Sequence, residues 1–323
     1  MSPLAAPLLF RPVYHVLVWG GRRMAAWREG LPDGPVGESW DLADHERGMS
    51  VVADGPLAGA TLRELTRAHG RELVGAAWDG GEFPLLVKLI DASDRLSVQV
   101  HPDDALARSL GVGVRGKTEC WLILADGGEL FVGLKPGVTR AGFEAARAAG
   151  RVAGCLARHE VGDGDFAFLP ARTVHALGRG CLLYEVQQTC DVTFRVDDWG
   201  RVGLDGKPRP LHVEQSLATI DFTGSAGGGL SRPPFATCPA GGSRRELATC
   251  PYFAVEERRA DRTSGGGHGG FSIITCLSGA GTLSTAGGAV RLAPMTTALV
   301  PAMAGPWSVQ AEGGGALRVL VAR

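Results

Sequence analysis

The chain has 323 residues, 45% of them hydrophobic, enough for one large or two ordinary domains with sizeable cores. The formal net charge of -1 and the lack of any apolar run of membrane-spanning length argue against a nucleic-acid surface, a polybasic anchor and a transmembrane helix. The seven cysteines are odd in number and include no Cys-x-x-Cys, which argues against a disulfide framework or a thiolate zinc site and for a reduced, cytoplasmic protein.

Met1 to Phe10 is apolar but short, with no basic start and no small-residue cleavage site, and is not read as a signal peptide. The run Leu17 to Gly21 reads as a strand ending in a glycine turn, and residues 34–54 as paired short strands. Thr61 is a helix N-cap, with Glu64 completing a capping box. Its helix runs through Leu62, Leu65, His69 and Leu73. Phe83 to Asp91 is an apolar strand interrupted by Lys88, and Ser97 to His101 is the next. Pro102-Asp103-Asp104 reads as a helix start, not a carboxylate pair. Thr118 to Ala125 and Leu130 to Gly133 continue the sheet, and Thr139 caps a helix that ends at Gly150. Residues 152–196 return to β, with strands at Phe166–Leu169, Leu182–Gln188 and Thr193–Val196. Leu211 to Ile220 is a short helix.

Residues 223–234 are rich in Gly, Ser and Pro and read as a linker between a first domain, 1–222, and a smaller β-domain, 235–323. A degenerate repeat joins the two. Residues 161–175 and 290–306 both run from a polar turn through an apolar strand to Pro-Ala. His175 follows Pro170 by five residues, and the corresponding position in the second copy is Pro306, so the copy lacks this ligand.

Chemistry-bearing residues gather between Ser97 and His175. Gln99 and His101 lie two apart among β-branched residues, so both point away from Val98 and Val100. An amide oxygen and an imidazole side by side make half of a metal site, and Glu119 and His175 are able to supply the other half. Lys117 shares the Glu119 face. His15, His45, His69, His159, His212 and His268 are read as structural or solvated, and Trp40 and Trp199 as packing residues. The glycine runs at 227–229 and 265–267 are loops without a nucleotide-binding context.

Gly164, Pro170 and His175 are spaced as in the second motif of the cupin barrels. The order Gln99, His101, Glu119, His175 resembles the zinc quartet of the type I mannose-6-phosphate isomerases. Further segments strengthen the likeness, among them Trp19-Gly-Gly21, Gly37-Glu-Ser-Trp40, Phe83 to Ala92, Leu96 to Asp104, Gly116 to Glu119, Tyr184 to Gln188 and Thr193 to Arg201. The resemblance is dense over residues 10–222 and follows the shorter, bacterial-type members. It implies a mostly β fold, with a metal-binding jelly-roll (cupin) domain carrying a few helices and a smaller second cupin-like β-domain without ligands.

The implied activity is the interconversion of mannose 6-phosphate and fructose 6-phosphate through an enediol. One Zn2+ per chain would sit on Gln99, His101, Glu119 and His175. Arg195 matches the family's active-site arginine. Together with Lys117 and with Glu185, the candidate proton shuttle, it makes up the catalytic set. Ser97, Lys88, Glu38 and Trp19 are candidate substrate-binding residues, although Trp19 also reads as packing. The implied partner is a small sugar phosphate, with neither nucleic acid nor membrane, and the chain would be a monomer or small homo-oligomer. Two alternatives are a metal-dependent oxygenase of the cupin class and a non-catalytic sugar-phosphate-binding protein. Gln99 in place of a ligand histidine, with Lys117 and Arg195 retained, weighs against the oxygenase.

Overall fold

The computed structural model describes residues 2–239 and 241–323. The chain is mostly β, as expected, and its sheets are antiparallel. Among the described residues no helix is long and apolar enough to cross a membrane. All seven thiols are free.

Two compact units are present. The first takes in the chain up to Val13, then Trp40–Leu86 and Pro233–Arg323; the second takes in Tyr14–Ser39 and Val87–Arg232. The first unit is thus drawn from three segments. Leu8–Arg11 pairs with Thr297–Val300 on one side and with Val51–Val52 on the other, and these non-local ladders tie the segments into one sheet. The boundary after Arg232 falls inside the expected linker, which also contains a strand, Gly229–Ser231, paired with Phe166 to Phe168. The strands expected at residues 34–54 exist as Val36–Leu42 and Val51–Val52, but they do not pair with each other: the first lies in the sheet of the second unit and the other beside Leu8–Arg11.

The strands Leu85–Asp91, Val98–Val100, Glu119–Ile123, Gly128–Leu134, Leu156–Val161, Phe166–Leu169, His175–Leu177 and Leu182–Gln188 form a jelly roll. Counted along the chain, they order as sixth, third, eighth, first in one sheet and second, seventh, fourth, fifth in the other. Ala254–Ala260, Arg262–Gly265, Ser272–Ser278, Gly281–Thr285, Gly288–Leu292, Thr297–Val300, Trp307–Ala311 and Leu317–Ala322 repeat both orders without change. The short repeat seen in the sequence is therefore one piece of two complete barrels of like topology. The turn before each sixth strand holds a residue at positive φ, Gly164 at 89° and Met295 at 61°.

Two helices dress the first barrel where the sequence places them. Thr139 caps Arg140–Ala148, and Val213–Thr219 lies within the expected 211–220. Thr61 forms the full capping box of Leu62–Leu73, a motif whose N-cap alone contributes about 1 kcal/mol. Strand alternation sorts the first barrel's core. Val98 and Val100 pack outward with Phe131, Phe143 and Ile220, whereas Ile90, Trp121, Ile123, Leu177 and Leu183 fill the inside. Following one inward face along a strand, apolar residues give way to polar ones: Ile123, Trp121, Glu119 on one strand and Leu183, Glu185, Gln187 on another. One end of the interior is oily and the other carries charge.

Candidate metal centre and active site

The polar end is assembled by pairing across strands. His175 stands opposite Gln99, and Arg195 stands opposite Gln99 on its other side. Gln187 stands opposite Glu119. This register brings His101, Glu119 and His175 together, each with one ligand-type atom within 4.8 Å of the others and all three buried. Glu119 Oε1 lies 3.1 Å from His175 Nε2 and 3.5 Å from His101 Nε2. Gln99 Nε2 is 3.2 Å from His175 Nε2, so its amide borders the same point, and turning the amide over would present its oxygen there.

The remaining ring nitrogens decide what the cluster can bind. His101 Nδ1 lies 2.8 Å from the Val192 carbonyl and His175 Nδ1 lies 2.9 Å from the Thr173 carbonyl. A carbonyl only accepts, so both Nδ1 atoms carry the proton and both Nε2 atoms present lone pairs to Glu119. Buried lone pairs facing a carboxylate repel unless a cation lies among them. His101 Nε2 and Glu119 Oε1 are indeed buried without a hydrogen-bond partner. The donor set, two imidazoles and a carboxylate with an amide beside them, therefore fits a divalent cation of the nitrogen- and oxygen-binding kind.

Electrostatics keep these groups ready for a cation. Burial, followed by the nearby Lys117 ammonium, lowers the His101 pKa to about 4, leaving the ring neutral at pH 7. Burial alone would raise Glu119, but Lys117 and His101 overcome it and hold the carboxylate well below its usual range. Lys117 Nζ lies 2.8 Å from Glu119 Oε2. Burial opposes its charge too, yet Glu119 and Glu185 outweigh burial and its pKa is raised.

A second polar group lies on neighbouring strands. Lys88 Nζ sits 3.4 Å from Glu38 Oε2 and 3.2 Å from Glu185 Oε1, with the lysine and Glu185 both buried. Trp121 Nε1 donates to Glu185 Oε2 at 2.7 Å, and the Trp121 ring stands edge-on to His175. Ser97 is buried and within 3.4 Å of Gln99 Oε1. Trp19 packs in the inner apolar cluster with its ring against Gly37, where a Cβ would lie 2.6 Å from it. Arg195 is half-buried and donates to the Pro210 carbonyl at 2.8 Å, while its Nε has no partner. The nearby Asp198 accepts from Arg201 and Arg209 instead.

Four contributors carry no mark in the sequence. Trp121 shares the Glu119 face, but nothing in that spacing indicates its bond to Glu185. The Val192 and Thr173 carbonyls are backbone groups and have no letter at all. Gln187, in a Gln-Gln pair, is set apart only by its register opposite Glu119.

Residues 8–119 match the family model described as phosphomannose isomerase type I, catalytic domain. The chain is 42% identical over 217 residues to a probable mannose-6-phosphate isomerase of Bacillus subtilis, covering 66% of this chain and 68% of that protein. It is 37% identical over 260 residues to a mannose-6-phosphate isomerase of Streptococcus mutans, covering 78% of each. A crystal structure of a mannose 6-phosphate isomerase from Bacillus subtilis superposes with a TM-score of 0.88 at 29% identity, over 98% of this chain and 99% of the other.

Proposed function

This chain belongs to the type I phosphomannose isomerases, and from that premise we propose that it interconverts mannose 6-phosphate and fructose 6-phosphate with one zinc ion held by Gln99, His101, Glu119 and His175. The observation that carries the metal half of this reading is the pair of buried Nε2 lone pairs turned toward a carboxylate.

Moving the carbonyl from C1 to C2 needs an opened sugar, removal of the C2 proton and its return to C1 through an enediol. When bound, a divalent cation supplies positive charge that stabilises the developing enediolate. The chain's own side chains account for the rest. Lys117 stays protonated beside Glu119, so it serves as a fixed hydrogen-bond donor to a negatively charged oxygen and not as a base. Glu185 is the proton shuttle. Burial raises its pKa, tempered by Lys88 and Lys117, which brings the carboxyl nearer to the working pH of a group that must both take and give a proton.

Lys88 holds Glu185 and Glu38 in place, and Ser97 offers a hydroxyl on the ligand face of its strand. Arg195 is partly desolvated and, among the described residues, has no carboxylate within ion-pair distance, which suits it to an anionic group of the substrate.

A coupled assay on mannose 6-phosphate tests the proposal, run before and after chelation and again with zinc restored. Turnover is expected to vanish with the metal and return with it. Full turnover by metal-free protein would refute the metal role, and no turnover by zinc-loaded protein would refute the activity.

A further inference from the structure

Gln187 is fully buried on the strand face that it shares with Glu185, directly opposite Glu119. Its amide nitrogen donates to two backbone carbonyls, Cys190 at 2.6 Å and Gln188 at 3.0 Å. Those two acceptors fix the amide orientation, because turned over it would set oxygen against oxygen. Its Oε1 is then left buried without a partner. Stranding an acceptor in this way is a cost that an apolar side chain of the same size would avoid, so burial alone does not account for a glutamine here.

The bonds to Cys190 and Gln188 close the turn that follows the strand Leu182–Gln188. Two residues beyond Cys190 is Val192, whose carbonyl accepts from His101 Nδ1 at 2.8 Å, and whose own N–H is directed back at Cys190 Sγ at 3.4 Å. A continuous path thus runs from the Gln187 amide, through the 188–192 turn, to the carbonyl that sets the His101 tautomer. Gln188 takes part differently: it binds Thr118 N and Asp104 through its side chain, away from the 190–192 carbonyls.

We propose that Gln187 is a positioning residue for the metal centre, acting on His101 through the 188–192 turn. The inference rests on the metal reading of the His101, Glu119, His175 cluster. If Gln187 releases the turn, the Val192 carbonyl no longer holds the ring, and the Nε2 lone pair loses both its direction and some of its basicity.

The experiment is zinc affinity by competition with a chromogenic chelator, measured alongside thermal unfolding on wild type, Gln187→Met, Gln187→Leu and Gln188→Met. Both Gln187 variants lack the donor, and the shorter Leu serves if the Met variant fails to fold. The expected result is zinc binding 10- to 100-fold weaker in folded Gln187 variants, the range typical of outer-shell partners, with Gln188→Met within about threefold of wild type. A lowered melting temperature with zinc affinity unchanged would overturn the proposal, as would an equal loss of affinity in Gln188→Met. A wild-type chain that binds no zinc would bring down the metal reading, and this inference with it.

Discussion

Lys88 and Glu185 meet inside the first barrel at 3.2 Å, each with only 3% of its side chain exposed. Two opposite charges at that depth have lost nearly all of their hydration, and their mutual attraction replaces it only while both are present. Lys88→Met should therefore cost about 3–5 kcal/mol, because it removes the ion-pair partner of a carboxyl buried beside Glu38. Lys88→Met/Glu185→Leu should recover most of that loss. Urea unfolding of the two variants decides the matter, and a single variant within about 1 kcal/mol of wild type would contradict it.

Metal and turnover are expected to separate by residue. His101→Ala removes a ligand atom and should lose metal and activity together. Arg195→Ala lies outside the ligand cluster and should keep its metal while turnover falls. Metal content by mass spectrometry, set beside the coupled assay, distinguishes the two. Loss of metal from Arg195→Ala would move that residue into the metal-holding group.

The metal-stripped protein should lose stability in mild acid. The His101 pKa is lowered from 6.5 to about 4 in the folded chain, so between those values the unfolded chain binds the additional proton. Stability is then full above pH 6.5 and declines as pH falls toward 4, by on the order of 3 kcal/mol from this group. Denaturant midpoints at pH 7 and pH 4.5 measure the slope, and His101→Gln should flatten it. An unchanged slope in that variant would assign the effect to other groups.

Gly164 enters its strand at a φ of 89°, in the left-handed region. Gly164→Ala should cost about 1 kcal/mol through backbone strain, and Gly164→Val more. The unfolding midpoint reports this, and an alanine variant as stable as wild type would mean that the turn relaxes freely.

The shared face of Gln99 and His101 is legible in the sequence, because a strand has only two faces. β-branched flanks around Gln99 and His101 place both on one side, and the structure seats Val98 and Val100 in the outer core accordingly. The capping box at Thr61 and Glu64 and the N-cap at Thr139 are local motifs and lie where expected. Pairing partners were less legible, since a ladder joins residues far apart in the chain. Val36–Leu42 and Val51–Val52 look like neighbours in sequence and belong to different sheets. The strands Leu156–Val161 and His175–Leu177 give no separate signal in the sequence, the first because its polarity is mixed and the second because it is three residues long. The carbonyls of Val192 and Thr173 could not be read at all, because every residue type carries one.

The internal repeat is corrected by one residue. Leu169, just before Pro170, pairs with Glu119, and Val300, just before Pro301, pairs with Ser272. His175 opens its strand opposite Gln99, and Trp307 opens the corresponding strand opposite Gly265. The counterpart of His175 is Trp307 and not Pro306, because the connection after Pro301 is one residue longer.

Ser272, Gly265 and Trp307 thus stand in the second barrel where Glu119, Gln99 and His175 stand in the first. One polypeptide holds the same architecture with a carboxylate, an amide and an imidazole at three places and with a hydroxyl, a bare glycine and an indole at the same three. The scaffold does not depend on the chemistry it carries, and the second copy serves as a built-in blank for judging which substitutions in the first disturb folding and which disturb catalysis.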